Sequence, residues 1–224
     1  INGMLQGTSA AFAGTMFDSN TTLRIGDSQA SGSVPFDGRI DEVQLVNRAL
    51  SDSDIANLYA NQSRDTNTFV ATPVASYKAE GNANDFHGTN EGTLANGAST
   101  ALGIAGSAFS FDGLNDYVNI PDSANFDLTD RVSLSAWINP STMTFADGFG
   151  AILTKGAWMT DYSRNYGMFV ANDGSLLLTY TDGSFNDFGV LTSTGLVCTK
   201  QCYHVTGVID TVAGTMYEYL NGRL

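Results

Sequence analysis

Asn221 and Gly222 place the strictest demand on how this chain can fold. Asn-Gly between β-forming residues is the strongest short-range signal for a two-residue hairpin, because both central positions need a positive φ. MYEYL before the pair reads as the outgoing strand, yet only Arg223 and Leu224 follow it. The returning arm therefore has to come from the front of the same chain or from another copy, since an open apolar edge invites pairing. Placing Ile1 after Leu224 gives MYEYLNGRL-INGMLQGTSAAFAGTMFDSNTTLRIGDS, which reads smoothly through the turn. Residues 1–35 contribute a Leu23-Arg24-Ile25 strand fragment, glycine turns and a polar stretch, which is not how a domain begins.

The next stretch, FDGRIDEVQLVNRALSDSDIANLY at 36–59, reads as a strand followed by a short helix. Val43 and Leu45 alternate with Glu42 and Gln44, the period of a strand with one wet face. After Arg48 the period changes. Ser51 and Asp54 are spaced as a capping box, and Leu50 with Ile55 forms a hydrophobic staple. Asp52 and Asp54 suit the positive end of the helix. Ile55, Leu58 and Tyr59 share one face. Residues 61–73 lose the helical period and read as a linker, and a new strand begins at Val74. Farther on, Val132, Leu134, Ala136 and Ile138 alternate with Ser133, Ser135, Trp137 and Asn139, and YGMFVANDGSLLLTYTDGS reads as a hairpin turning at Asn172-Asp173-Gly174.

GRIDEVQLVNRALSDSDIANLY resembles the closing strand and helix of bacterial laminin-G-like (concanavalin A-like) domains. VASYKAEGNANDFHGTNEGTLANGAS, SAFSFDGLNDYVNIPDS and FDLTDRVSLSAWINP resemble that family's opening strands, and Tyr203-His204-Val205 matches a position written there with an aromatic, His and Val. The closing part comes first here, so the family pattern runs in rotated order. The resemblance implies an all-β, two-sheet antiparallel jelly-roll sandwich of the concanavalin A-like type, with one short helix near residues 51–60. Residues 1–60 are then the C-terminal strands and helix, completing a neighbouring copy or the same chain. Residues 61–73 are the linker, and 74–224 form the N-terminal and central part. Three arrangements satisfy this order: a repeat cut from a tandem array, a subunit donating strands to its neighbour, or a circular permutant. The first two give an open head-to-tail polymer, because a heterologous contact that does not close makes a filament.

The function expected from this is a structural or adhesive repeat of an extracellular filament or tandem-repeat protein, its partners being further copies of itself. The alternative is a carbohydrate-binding, lectin-like module of a secreted or cell-surface protein. A formal charge of −13 over 224 residues argues against nucleic acid and anionic membranes, which need basic patches. No apolar run approaches the roughly 20 residues of a membrane helix. Enzymatic activity is not expected. RIDEV lacks the glutamate pair flanking an aspartate that related glucanases use, and neither a nucleophile elbow nor a metalloprotease helix is present.

Among candidate sites, the resemblance implies a structural Ca²⁺ joining Asp41 to Glu80, Asn82 and Asp85, with a carbonyl near Gly113 as a further oxygen ligand. The same residues also suit an ordinary strand end and turn. Flat faces for sugar rings are expected from Trp158, Tyr162 and Tyr166, with Trp137, Tyr217 and Tyr219 as further aromatics that equally suit a core. Cys198 and Cys202, the only cysteines, are expected to form a disulfide across a turn, worth about 2 kcal/mol in the chain-entropy model. His204 reads as a hydrogen-bonded strand-end residue and His87 as a loop residue.

Overall fold

The computed structural model describes residues 7–8, 14–28, 33–62, 71–157 and 165–223. The strands from the front of the chain are β1 (Gly7–Thr8), β2 (Leu23–Ile25) and β3 (Asp37–Val46), followed by helix α1 (Asp52–Gln62). Then come β4 (Ala75–Tyr77), β5 (Thr93–Ala95), β6 (Ser99–Leu102), β7 (Ser107–Asp112) and β8 (Tyr117–Ile120). The rest are β9 (Arg131–Pro140), β10 (Phe149–Lys155), β11 (Tyr166–Ala171), β12 (Leu176–Thr181), β13 (Asp187–Leu191), β14 (Tyr203–Asp210) and β15 (Thr215–Leu220). They form two antiparallel sheets. Sheet one runs β1-β15-β14-β9-β3-β7-β6 with β4 also on β3, and sheet two runs β13-β12-β11-β10-β2-β8-β5.

Of the front strands, β2 and β3 sit in the middle of these sheets and β1 at an edge on β15, all within the same chain. β2 lies between β10 and β8, and β3 lies between β9 on one side and β7 and β4 on the other. The hairpin signal forms as expected: Asn221 and Gly222 have φ of 52° and 70°, and Leu220 faces Arg223. Farther along β15, Gly7 and Thr8 of β1 pair with Glu218 and Tyr217. A single core is packed between the sheets. Leu23 and Ile25 from β2 and Ile40, Val43 and Leu45 from β3 share it with Val132, Leu134, Ala136 and Ile138 of β9.

Local rules shape α1 as expected. The Ser51 and Asp54 side chains exchange hydrogen bonds with each other's backbone N–H groups, and Arg48 pairs with Asp54 at 2.9 Å. That guanidinium holds the Asp54 carboxyl down to about 2. Leu50, Ile55 and Leu58 then bind the helix to Val46, Val208 and Tyr219 on the outer face of sheet one.

The expected wet face of β3 is not wet. Glu42 and Gln44 are buried, and α1 reaches the Glu42 carbonyl through the Gln62 amide at 3.0 Å. β3 also carries a bulge between Asp41 and Gln44, with Glu42 at φ 48°, which strands of this length use to add twist.

Candidate functional site

Beneath the C-terminal turns of α1 the outer face of sheet one carries aromatic and polar side chains beside the apolar cluster. The register between β14 and β9 sets His204 opposite Trp137, and that between β3 and β9 sets Asp41 opposite Trp137 on the other side. Tyr59 of α1 stacks on the Trp137 ring, with centroids 5.4 Å apart and planes at 26°. His204 meets Trp137 edge-on at 5.4 Å. Its Nε2 lies 2.9 Å from Gln62 Oε1, while the Gln62 amide donates to Glu42. Gln62 Oε1 is an acceptor only, so the Nε2 of the neutral ring carries the proton. Complete burial drives the imidazole down to about 3. His204 is therefore a neutral clasp for the helix, and it has no basic role at neutral pH.

Two recesses flank α1 on this face. At its N-terminal end, a groove of about 580 Å³ runs between Ser51–Ser53 and strands β14 and β15. Tyr217 and Tyr219 line it, together with Asp52 and Asp210. The Tyr219 hydroxyl donates to Asp52 at 2.8 Å, and burial raises that phenol well above its ordinary value. Asp210 is held by Arg131 at 3.0 Å and by the Ala213 N–H at 2.8 Å. Both carboxylates are thus fixed beside the half-buried Tyr217 ring. At the other end of α1, a smaller recess of about 90 Å³ opens between Trp137, Asp41, Arg39 and the β6–β7 turn.

Comparison with known families bears on this arrangement. The laminin-G-like profile described as the concanavalin A-like lectin/glucanases superfamily matches residues 1–56 and 111–224. The chain belongs to that superfamily. The match falls in two separate segments, in keeping with the rotated order read from the sequence. Curated proteins and solved structures gave no match.

In this laminin-G-like domain the four residues expected to share calcium do not gather at one point. Asp41 is buried and takes the N–H groups of Ile104 and Ala105 on one oxygen and that of Glu42 on the other. Burial lifts its carboxyl to about 6 against those donors. Glu80 accepts from Ser107 at the end of the same β6–β7 turn, and its charge adds to the rise at Asp41. Asp85 instead organises its own loop, accepting from Ser76, His87 and Asn90, and Asn82 caps Asn84. Gly113 lies against Asp37, in a different turn. Among the described residues, no three His, Cys, Asp or Glu side chains assemble as a metal site. As arranged, the set does not fit one shared ion.

The aromatic expectations need correcting as well. Tyr166 is fully buried, its hydroxyl donating to the Phe126 carbonyl at 3.1 Å, so it offers no face to a sugar. It stands on a central strand of sheet two, where alternation turns it inward. Trp158 and Tyr162 lie outside the described residues. Trp137 lines one recess of the described residues, and Tyr217 and Tyr219 line another. Cys198 and Cys202 are free and exposed, and the expected disulfide is not made. Their surroundings differ. Cys202 Sγ accepts the Asn139 amide at 3.2 Å, while the Cys198 N–H is bound to the Tyr203 hydroxyl.

Sequence reading missed Lys155 altogether. Its side chain is completely buried at the end of β10, with Nζ 2.6 Å from the Ser19 carbonyl, 2.6 Å from Asp122 and 3.6 Å from Asp127. The Thr21 carbonyl is 3.3 Å away. One ammonium thus ties the approach to β2 to the loop between β8 and β9. Burial and the Asp18 carboxyl raise Asp127, and Lys155 opposes them. A lone lysine in a strand gives no periodic signal of such a role.

Proposed function

We propose that this chain is a non-catalytic glycan-recognition module that works outside the cell and binds neutral sugars in the groove at the N-terminal end of α1. The observation that carries the reading is the pairing of the Tyr217 ring with two immobilised carboxylates, Asp52 and Asp210. A pyranose offers an apolar C–H face to an aromatic ring and hydroxyls to fixed acceptors, and binding sites are commonly apolar surfaces with a few placed polar groups. The acidic rim and the formal charge of −13 favour neutral over acidic glycans. The filament reading draws less support. A head-to-tail exchange would have to extract β2 and β3 from between their neighbours in the same chain. No helix among the described residues is long and apolar enough to cross a membrane.

Affinity electrophoresis in gels containing neutral polysaccharides tests the reading. The expected result is retardation of the wild-type protein by at least one of them, weakened about tenfold, or roughly 1.4 kcal/mol, by Tyr217→Ala. A wild-type protein that no neutral polysaccharide retards, or a folded Tyr217→Ala variant retarded equally, would refute it.

A further inference from the structure

β15 carries different chemistry on its two faces. Tyr217 and Tyr219 point out to the groove, while Met216 points into the core. By the two-residue repeat of a strand, Glu218 points inward with Met216. It is 1% exposed, and neither carboxyl oxygen takes a hydrogen bond among the described residues. A charged carboxylate there is far more costly than a protonated one, and an unpaired buried polar group calls for an explanation.

The neighbours offer Glu218 no partner. Gly7 of β1 stands opposite it on one side and Gly207 of β14 on the other. Directly opposed residues share a face. A Cβ on Gly207 would lie 2.5 Å from Leu178 Cδ1, which puts this stretch against the apolar side of β12. Titratable groups on the surrounding strands are engaged elsewhere. On β14, His204 meets Gln62 and Asp210 meets Arg131, both on the outer face. On β12, Tyr180 stacks on Phe188, and on β13 the exposed Asp187 accepts from Thr181. No side chain before Asp18 is charged, so the chain around β1 brings no counter-ion. Burial pushes the Glu218 carboxyl well above the ordinary carboxylate range.

β1 is the easiest element to move away from this acid. It pairs through Gly7 and Thr8 at the edge of sheet one, whereas the whole of β15 is paired with β14. Elements held by so few bonds open locally, without the rest of the fold. We propose that Glu218 is a proton-controlled latch for β1: the protonated acid leaves β1 docked on β15, and ionisation drives it off. With β1 off, Glu218 meets water and ionises near 4.5, whereas the docked acid keeps its proton to higher pH. Above pH 4.5 the open form therefore loses its proton first. The opening constant then grows by up to about tenfold per pH unit until the docked acid ionises too. Release uncovers the edge of β15, a row of unpaired backbone groups open to another strand.

Hydrogen exchange followed by NMR on the whole chain, from pH 5 to 7, provides the test. After correction for base-catalysed exchange, the protected amides among Gly7, Thr8, Tyr217 and Glu218 give the opening constant. It rises by up to about tenfold per pH unit in the wild type. In Glu218→Gln, a neutral side chain of the same shape, it stays flat. Amides of β9 open far more rarely than these and report the fold as a whole. Carbon-13 shifts of the wild-type Glu218 carboxyl give a second readout that needs no variant, and they show it titrating above the ordinary range. A carboxyl that titrates near 4.5 in the folded protein overturns the proposal. So does an opening constant that ignores pH, or one that climbs equally in Glu218→Gln. Amides of the β1–β15 pair that open no more often than those of β9 overturn it as well.

Discussion

Replacing Ile25 with alanine asks whether the front of the chain completes its own sandwich. Ile25 is fully buried in the main core, with Leu153 of β10 and Val118 of β8 as its cross-strand partners. Truncation removes three carbons at about 0.8 kcal/mol each, and the cavity left between two sheets adds to that loss. The total comes to about 4 kcal/mol, near the upper part of the range for such changes. For a domain of this size each kcal/mol lowers the melting temperature by about 2–4 °C, so a fall of roughly 12 °C is expected. Calorimetry at two protein concentrations a hundredfold apart is the assay, with the native mass checked by light scattering. The midpoint of a monomer completed by its own strands does not move with concentration. A loss below about 1 kcal/mol, or a midpoint that climbs with concentration, would mean that β2 serves another copy or none.

Two further outcomes follow from buried charge. Lys155→Met should cost about 3 kcal/mol in urea unfolding, the low end for breaking a buried pair, because Asp122 and Asp127 keep about a third of their surface in water. A cost under about 1 kcal/mol would reduce Lys155 to an ordinary surface pair. His204 predicts a pH dependence. The unfolded imidazole takes its proton near 6.5, whereas the folded one resists until about 3. The unfolded state therefore gains this proton first as pH falls, and the His204 contribution lowers stability by up to about 1.4 kcal/mol per unit below pH 6.5, against the opposite contribution of Asp41, whose folded carboxyl is raised to about 6. His204→Gln should flatten that slope between pH 7 and 5, and an unchanged slope would place the titrating group elsewhere.

Local chemistry made much of this molecule legible. Ser51 and Asp54 form their capping box because the partners are three residues apart, and Asn221-Gly222 turns because those residue types tolerate a positive φ. The alternation at 132–138 gives one face of β9 because a strand repeats every two residues. The resemblance carried in GRIDEV and SAWINP pointed to the sandwich. Partners distant along the chain were another matter. Glu42 and Gln44 look like a solvated face until the assembled fold buries them, Tyr166 looks like a platform until sheet two turns it inward, and Lys155 looks ordinary until Asp122 and the Ser19 carbonyl converge on it.

Sequence alone determined that the chain folds as a two-sheet β-sandwich read from the middle, with one capped helix and a hairpin in need of an arm. The periods and turn residues behind those features act over a few positions. Only the tertiary structure decided whose sheets β2 and β3 enter and which polar side chains end up facing a recess. A strand's edge hydrogen bonds are the same whether the partner belongs to its own chain or to another, so spacing along the chain carries no information on that choice.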